Sequence, residues 1–362
     1  MHREKAKLHG GRGGTLVKEE NAVFGRAPRR PMGYASILDI GTERKFSDRS
    51  KGDAVIRSEA DLAGLALALG ARDLGTLSDA ERSLTRGATT PTDELVDMCR
   101  KEIAKGDDPL GAYFCKLRSP EDRRPAGATY TPPPIVSAMT LWAAERKPVR
   151  VVDPGAGSGR FAVAAGRSIP GAELIAAEID PLAALLCRAH LATAGFAERA
   201  RVVLMDYRKL DLPKVAGPTV FLGNPPYVRH HLIDAHWKSW LVDAARSLGL
   251  DASQLSGLHV HFFLATARMA RPGDLGALVT AAEWLDVNYG ELVRKLFLGP
   301  LGGESMHVVE PKALPFSDAA TTAVVSCFKV GARPSSVRLR RVESLDDLEP
   351  LDGGRPVRRE LL

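Results

Sequence analysis

The chain has 362 residues, a mass of 38.9 kDa and 44% apolar side chains. That length excludes a single small domain, and no apolar stretch approaches the ~20 residues of a membrane span, so the chain reads as soluble. The formal net charge is +6, and the excess lies in residues 1–52, with 12 Lys/Arg against 6 Asp/Glu, while the remainder balances at 38 against 38.

Residues 1–52 are rich in Gly, Arg and Lys without a sustained period, which predicts a basic, flexible arm. Such an arm can bind phosphates through counterion release, although a merely solvated tail has the same composition. Its start, Met1-His2-Arg3-Glu4-Lys5, is charged instead of apolar, which argues against a secretory signal and for the cytoplasm. The four cysteines, Cys99, Cys115, Cys187 and Cys327, lack the close paired spacings of zinc sites, so no metal is expected.

Residues 53–118 are predicted to form a small helical subdomain. Leu62, Leu65, Ala66 and Leu69 recur at helical spacing, Ser78 with Glu81 reads as an N-cap, and Pro91 opens a third helix. A Pro- and Arg-containing linker from residue 119 leads into Gly127-Ala128-Thr129-Tyr130-Thr131-Pro132 and an apolar helix over 135–144. Strands at 149–153, 173–179, 201–205 and 218–223 then alternate with helices at 159–168 and 181–194, the pattern of a doubly wound, mostly parallel sheet. Helices are expected at 235–248, 259–269 and 283–297, and a strand at 275–280. Strands at 306–310 and 321–330 close this domain, 119–332, as an antiparallel edge pair. The last segment, 333–362, reads as an edge strand at 337–342 followed by a charged tail or linker.

Two turns carry the chemistry. In Asp153-Pro154-Gly155-Ala156-Gly157-Ser158-Gly159-Arg160-Phe161, closely spaced glycines after a strand let backbone approach a ligand. The spacing G-x-G-x-G is not the G-x-G-x-x-G of a pyrophosphate binder. The second strand ends in Glu178-Ile179-Asp180, placing a carboxylate where a ribose diol needs acceptors. The third ends at Asp206-Tyr207, an acid for an exocyclic amine beside an aromatic face. Carboxylates at three successive strand ends, Asp153, Glu178 and Asp206, favour S-adenosylmethionine over NAD. The second turn, Asn224-Pro225-Pro226-Tyr227, follows an apolar strand. The Asn224 side-chain oxygen and the Pro225 carbonyl can each accept one N–H of a planar amine, favouring a tetrahedral nitrogen that attacks a methyl sulfonium, while Tyr227 offers a stacking face to a base drawn out of a duplex. His230, His231, His236, His259, His261, Trp237 and Trp240 read as loop or packing residues.

In the order of these segments the chain resembles the gamma-class adenine-N6 DNA methyltransferases of restriction-modification systems, over roughly residues 124–331. The resemblance implies a class I, Rossmann-like methyltransferase fold with S-adenosylmethionine as cofactor and DNA as partner, accompanied by a separate target-recognition subunit or a cognate endonuclease. It places Tyr130 and Thr131 at the methionine end, Gly155, Gly157 and Gly159 as the cradle, Glu178 on ribose and Asp206 on the cofactor adenine. Asp153, Phe161, Ile179, Tyr207 and Asn224 adjoin that site, and Phe316 covers the second face of the flipped base. Family members usually continue into a large target-recognition domain, whereas only about thirty residues, 333–362, follow here, so specificity comes from a separate chain, or the basic arm and helical subdomain read DNA, or the chain is a truncated relative. A release-factor glutamine or RNA guanine-N2 methyltransferase, or a non-catalytic cofactor-binding subunit, are the alternatives.

Overall fold

The N-terminal helices begin where the side chains can satisfy free amides. In the computed structural model, which describes residues 56–123, 130–286, 288–313 and 322–362, Ser58 and Ser78 each accept a bond from the amide three residues on. Asp61 and Glu81 return a bond to each serine amide, so α1 (Glu59–Ala68) and α2 (Asp79–Thr85) both open with capping boxes. Thr92, not Pro91, sets the start of α3 (Asp93–Lys105), because its hydroxyl accepts from the Leu95 amide. Asp108 caps α4 (Pro109–Leu117), with Pro109 in the first turn. A single turn, α5 (Pro120–Arg123), precedes α6 (Pro133–Glu145). The predicted arm, 1–52, and Phe316 lie outside the described residues.

The sheet runs β3-β2-β1-β4-β5-β7-β6-β8-β9. Parallel pairing joins β1 (Arg150–Pro154), β2 (Glu173–Glu178), β3 (Ala200–Leu204), β4 (Thr219–Gly223) and β5 (Leu275–Ala281). Here β6 (Gly303–Val309) and β7 (Ala323–Lys329) are antiparallel, and β7 lies between β5 and β6. The order reverses between β1 and β4, the switch point at which ligands bind in open α/β sheets.

Alternate strand residues face opposite layers. Val151 and Leu174 share a core with α6, α7 (Arg160–Ser168) and α8 (Pro181–Thr193). Val152, Ile175 and Phe221 face α10 (Leu258–Met269) on the other side, while α9 (Ala235–Arg246) and α11 (Glu291–Leu298) flank it. α8 is buried from Leu182 to Leu191, so it needs cover on both flanks. Its outer flank, Leu185, Leu186 and Ala189, packs against Leu62, Leu65, Ile103 and Leu110 of the N-terminal helices. The predicted subdomain therefore shares a core with the catalytic body, and all described residues fall in one compact unit.

Two predicted segments differ. The single helix at 283–297 is instead two short 3-10 turns followed by α11. Trp284 is buried and donates from Nε1 to Thr280 Oγ1 at 2.9 Å. Gly290 passes so close that a Cβ there would lie 2.0 Å from the Trp284 carbonyl oxygen, which a continuous helix with a side chain would not permit. The expected tail after 342 is also structural. β8 (Ser336–Val342) pairs parallel with β6, β9 (Arg355–Arg358) pairs antiparallel with β8, and Leu348 and Leu351 are buried. Buried His307 in β6 fastens this segment, its Nε2 lying 2.8 Å from the Leu351 carbonyl oxygen and its Nδ1 accepting from Arg340 Nε at 3.0 Å. Among the described residues no helix is long and apolar enough to cross a membrane.

Candidate active site

The glycine turn leaves the C-terminal end of β1 with Gly155, Gly157 and Gly159 at φ of +69°, +56° and +85°, values that side chains other than glycine disfavour. The two later glycines have different reasons to lack a side chain. A Cβ on Gly159 would sit 2.7 Å from Cys187 Sγ, whereas one on Gly157 would meet nothing within 4 Å. Gly159 lets α7 approach α8, and Gly157 opens onto a cavity of about 410 Å³, a size typical of ligand sites.

Asp153, expected among the cofactor-contacting carboxylates, lies beneath the turn instead. It is 1% exposed, accepts from the Ala162 amide at 3.1 Å and is pushed up to about 8 by burial. It therefore anchors the first turn of α7 and stands outside the cavity wall. Glu178 does line the cavity. Its carboxylate accepts from the amides of Gly157 at 2.7 Å, Ile179 at 2.8 Å and Asp180 at 2.9 Å, while burial raises its pKa against those bonds. The neighbouring Ile179 is 61% exposed on the same wall, an apolar side chain held toward the cavity where a flat ring could cover it.

Just beyond β3, Asp206 and Tyr207 also line the cavity. Burial alone would raise the Asp206 pKa, but the bonds it accepts from the side chain and amide of Arg208, at 2.8 and 2.9 Å, hold it below the usual carboxylate range. The Arg208 guanidinium lies 3.5 Å from the centre of the Trp237 ring. Tyr207 stacks on Phe262 with ring centres 5.0 Å apart, and its hydroxyl is 2.8 Å from Thr266 Oγ1. Arg208 and Trp237 both line the cavity; in sequence Trp237 reads as a packing residue and no motif singles out Arg208.

The reactive turn meets this cavity because β4 ends beside β1. At Gly223 a Cβ would be 2.9 Å from Pro154 Cδ, so only glycine allows the two strand ends to approach. Asn224 and Pro226 line the same cavity as Gly155 and Gly157, and Pro226 Cδ is 3.5 Å from where a Gly155 Cβ would stand. Asn224 Nδ2 donates to Thr131 Oγ1 at 3.0 Å, so the entry segment before α6 orients the amide. Pro225 is buried. Tyr227 is half-buried outside the cavity wall, packed on the core with its hydroxyl 3.5 Å from the Val279 carbonyl oxygen.

A buried polar network escaped sequence reading. Asp108, at the start of α4, accepts from the Gly111 amide at 2.8 Å, from Ser158 Oγ at 2.6 Å and from Arg160 Nη2 at 3.2 Å. His190 Nδ1 lies 3.1 Å from the Ser158 carbonyl oxygen, and the Arg160 guanidinium lies 3.6 Å from the centre of the Tyr130 ring. Asp108 before Pro109 signals a helix cap; nothing local signals that its second oxygen reaches the glycine turn fifty positions on.

No family model matches the chain. Over 320 residues it is 47% identical to the type II methyltransferase M.XamI of Xanthomonas campestris pv. amaranthicola, covering 85% of this chain and 58% of that protein. The chain is a relative of the type II methyltransferases. It spans less than two thirds of that relative's length. A solved structure described as a class I S-adenosylmethionine-dependent methyltransferase of Listeria monocytogenes matches with a TM-score of 0.53 at 14% identity, over 80% of this chain and 95% of that one. The type IIL restriction-modification enzyme MmeI, solved in complex with DNA, matches with a TM-score of 0.53 at 16% identity, over 82% of this chain and 51% of that one. The fold is that of the class I methyltransferases, and fold and relatives together imply S-adenosylmethionine as the cofactor. The cavity suits it, with a backbone cradle open at Gly157, a carboxylate at Glu178 and an acid beside aromatic rings at Asp206.

Proposed function

We propose that this chain transfers a methyl group from S-adenosylmethionine to N6 of an adenine drawn out of duplex DNA, as the modification activity of a restriction-modification system. The observation that carries the proposal is that Asn224 and Pro226 line one cavity with Gly155, Gly157 and Glu178. A cofactor cradle and a reactive amide turn thus share a single cleft.

When bound, the cofactor supplies an electrophilic methyl on a sulfonium. The chain's own residues do the rest. Glu178 receives the ribose hydroxyls and Asp206 an exocyclic amine. Thr131 holds the Asn224 amide in place, so that Asn224 and the Pro225 carbonyl accept the two N–H groups of the target amine and draw its lone pair out of conjugation. Preorganised acceptors of this kind are worth roughly 10²–10³ in rate. By the family resemblance Tyr227 and Phe316 provide stacking faces that offset the cost of unstacking, at about 1–3 kcal/mol per base. On this reading DNA is the partner, with a separate target-recognition subunit or a cognate endonuclease as further partners.

The deciding measurement offers labelled S-adenosylmethionine with duplex DNA, RNA and release-factor protein, followed by nucleoside analysis. Label in N6-methyladenine from duplex DNA is expected. Label on another base, or only in RNA or protein, would refute the assignment.

A further inference from the structure

We propose that Arg160 is a carboxylate clamp, binding the α-carboxylate of the cofactor's methionine arm, and that Asp108 of the N-terminal helices positions it. This rests on the S-adenosylmethionine reading of the cleft and extends it to two residues outside the glycine, ribose and adenine contacts.

The direction of the cleft comes first. The strand order β3-β2-β1-β4 sets it: Asp206 follows β3, Glu178 ends β2, the glycine turn follows β1, and Asn224, which bonds Thr131 and through it Arg160, follows β4. The reactive turn fixes where the transferable methyl must lie, so the amino-acid arm runs from there along the glycine turn, away from Asp206. Thr131 measures how short that run is. Its hydroxyl accepts from Asn224 at 3.0 Å while its carbonyl oxygen accepts from Arg160 Nη1 at 3.2 Å. Arg160 is therefore one residue from the reacting amide and lines the same cavity.

The chemistry of the side chain agrees. A guanidinium has five N–H donors in a fixed fork that matches a carboxylate, and the Thr131 carbonyl and Asp108 carboxylate take one each. The Tyr130 ring 3.6 Å away and the buried Asp108 hold the fork in one plane. Of the other cations on the cavity wall, Arg118 is paired with Glu59 at 2.8 Å and with Asp180, at the start of α8 on the ribose side, and Arg208 is paired with Asp206 at 2.8 Å beyond β3. Arg160 is also the first residue of α7, whose amides favour an anion at the same place. Asp108 reaches Arg160 from α4, which makes the N-terminal helices part of the cofactor site.

The test is calorimetric binding to the full chain of S-adenosylhomocysteine and of its α-carboxamide, which differ only in the charge of the group in question. Wild type should prefer the carboxylate by about 10–100-fold, the range of a hydrogen bond to a charged group. Arg160→Met should abolish the preference by weakening the carboxylate ligand alone, and Arg160→Lys should retain part of it. Asp108→Asn should reduce the preference without reducing carboxamide binding. A wild type that binds both ligands equally overturns the clamp and leaves the cofactor reading standing. So does an Arg160→Met or Arg160→Lys protein that weakens both ligands by the same factor, as a purely structural arginine would. A wild type that binds neither ligand overturns both readings.

Discussion

Asn224 has two tasks that can be separated by measurement. Its amide lines the reactive cleft, and Thr131 fixes the amide's orientation through a 3.0 Å bond. Asn224→Ala should retain cofactor affinity by calorimetry and lose about 10²–10³ in single-turnover methyl transfer; substantial residual transfer would contradict its role. Thr131→Val keeps the size of the side chain and removes the acceptor, so kcat should fall about tenfold or more through misalignment alone, with the thermal transition preserved. An unchanged kcat would show that the amide is held by something else. Asn224 was legible in the sequence because its motif is four contiguous residues after a strand. Thr131 as its partner was not, since ninety-three positions separate the two and only packing of α6 beside β4 unites them.

At the scale of elements, close approach governs the fold. α7 and α8 come together at Gly159, where a side chain would need φ of +85° and would lie 2.7 Å from Cys187 Sγ. Gly159→Ala should cost about 2–5 kcal/mol, combining left-handed strain with overpacking, measured by urea unfolding. α8 also joins the N-terminal helices through a buried ion pair, Arg188 Nε to Glu81 Oε1 at 2.6 Å, with Arg188 Nη1 on the Leu74 carbonyl oxygen at 2.8 Å. Removing one partner leaves an uncompensated charge, so Arg188→Met should destabilise by about 3–5 kcal/mol. Combining it with Glu81→Gln should recover part of that loss, and strict additivity would reject the pairing. The Ser78 capping box was readable because both partners lie within four residues. That Glu81 turns its other oxygen to α8 was not, because helix periodicity carries no information about what packs on the outside.

For the whole molecule, buried histidines set a pH limit. Burial lowers the pKa of His307 and of His259 to about 4, and that of His261 to about 3 with Arg208 adding to the effect. Their ordinary value is about 6.5, so the unfolded chain takes up protons first. Their contribution to stability is full above about pH 6.5 and declines as pH falls toward about 4. Urea midpoints across that range should drop. His307→Gln should flatten part of the slope, because His307 ties β6 to the segment carrying Leu351. A midpoint independent of pH in this window would reject the assignment.

What the amino-acid order determined by itself was everything expressed within a few neighbouring residues or one strand-helix period: the capping boxes, the alternation that builds the parallel sheet, the glycine turn and the Asn-Pro-Pro-Tyr turn. The rest waited for tertiary structure. Asp153 reads like Glu178 in sequence, both acids at strand ends, yet one is sealed under α7 and the other lines the cavity. Residues 343–362 look like charged tail, yet Leu348 and Leu351 find a buried surface and β9 finds the edge of β8. Those outcomes depend on contacts between residues far apart in the chain, whose partners exist only once the sheet has brought them together.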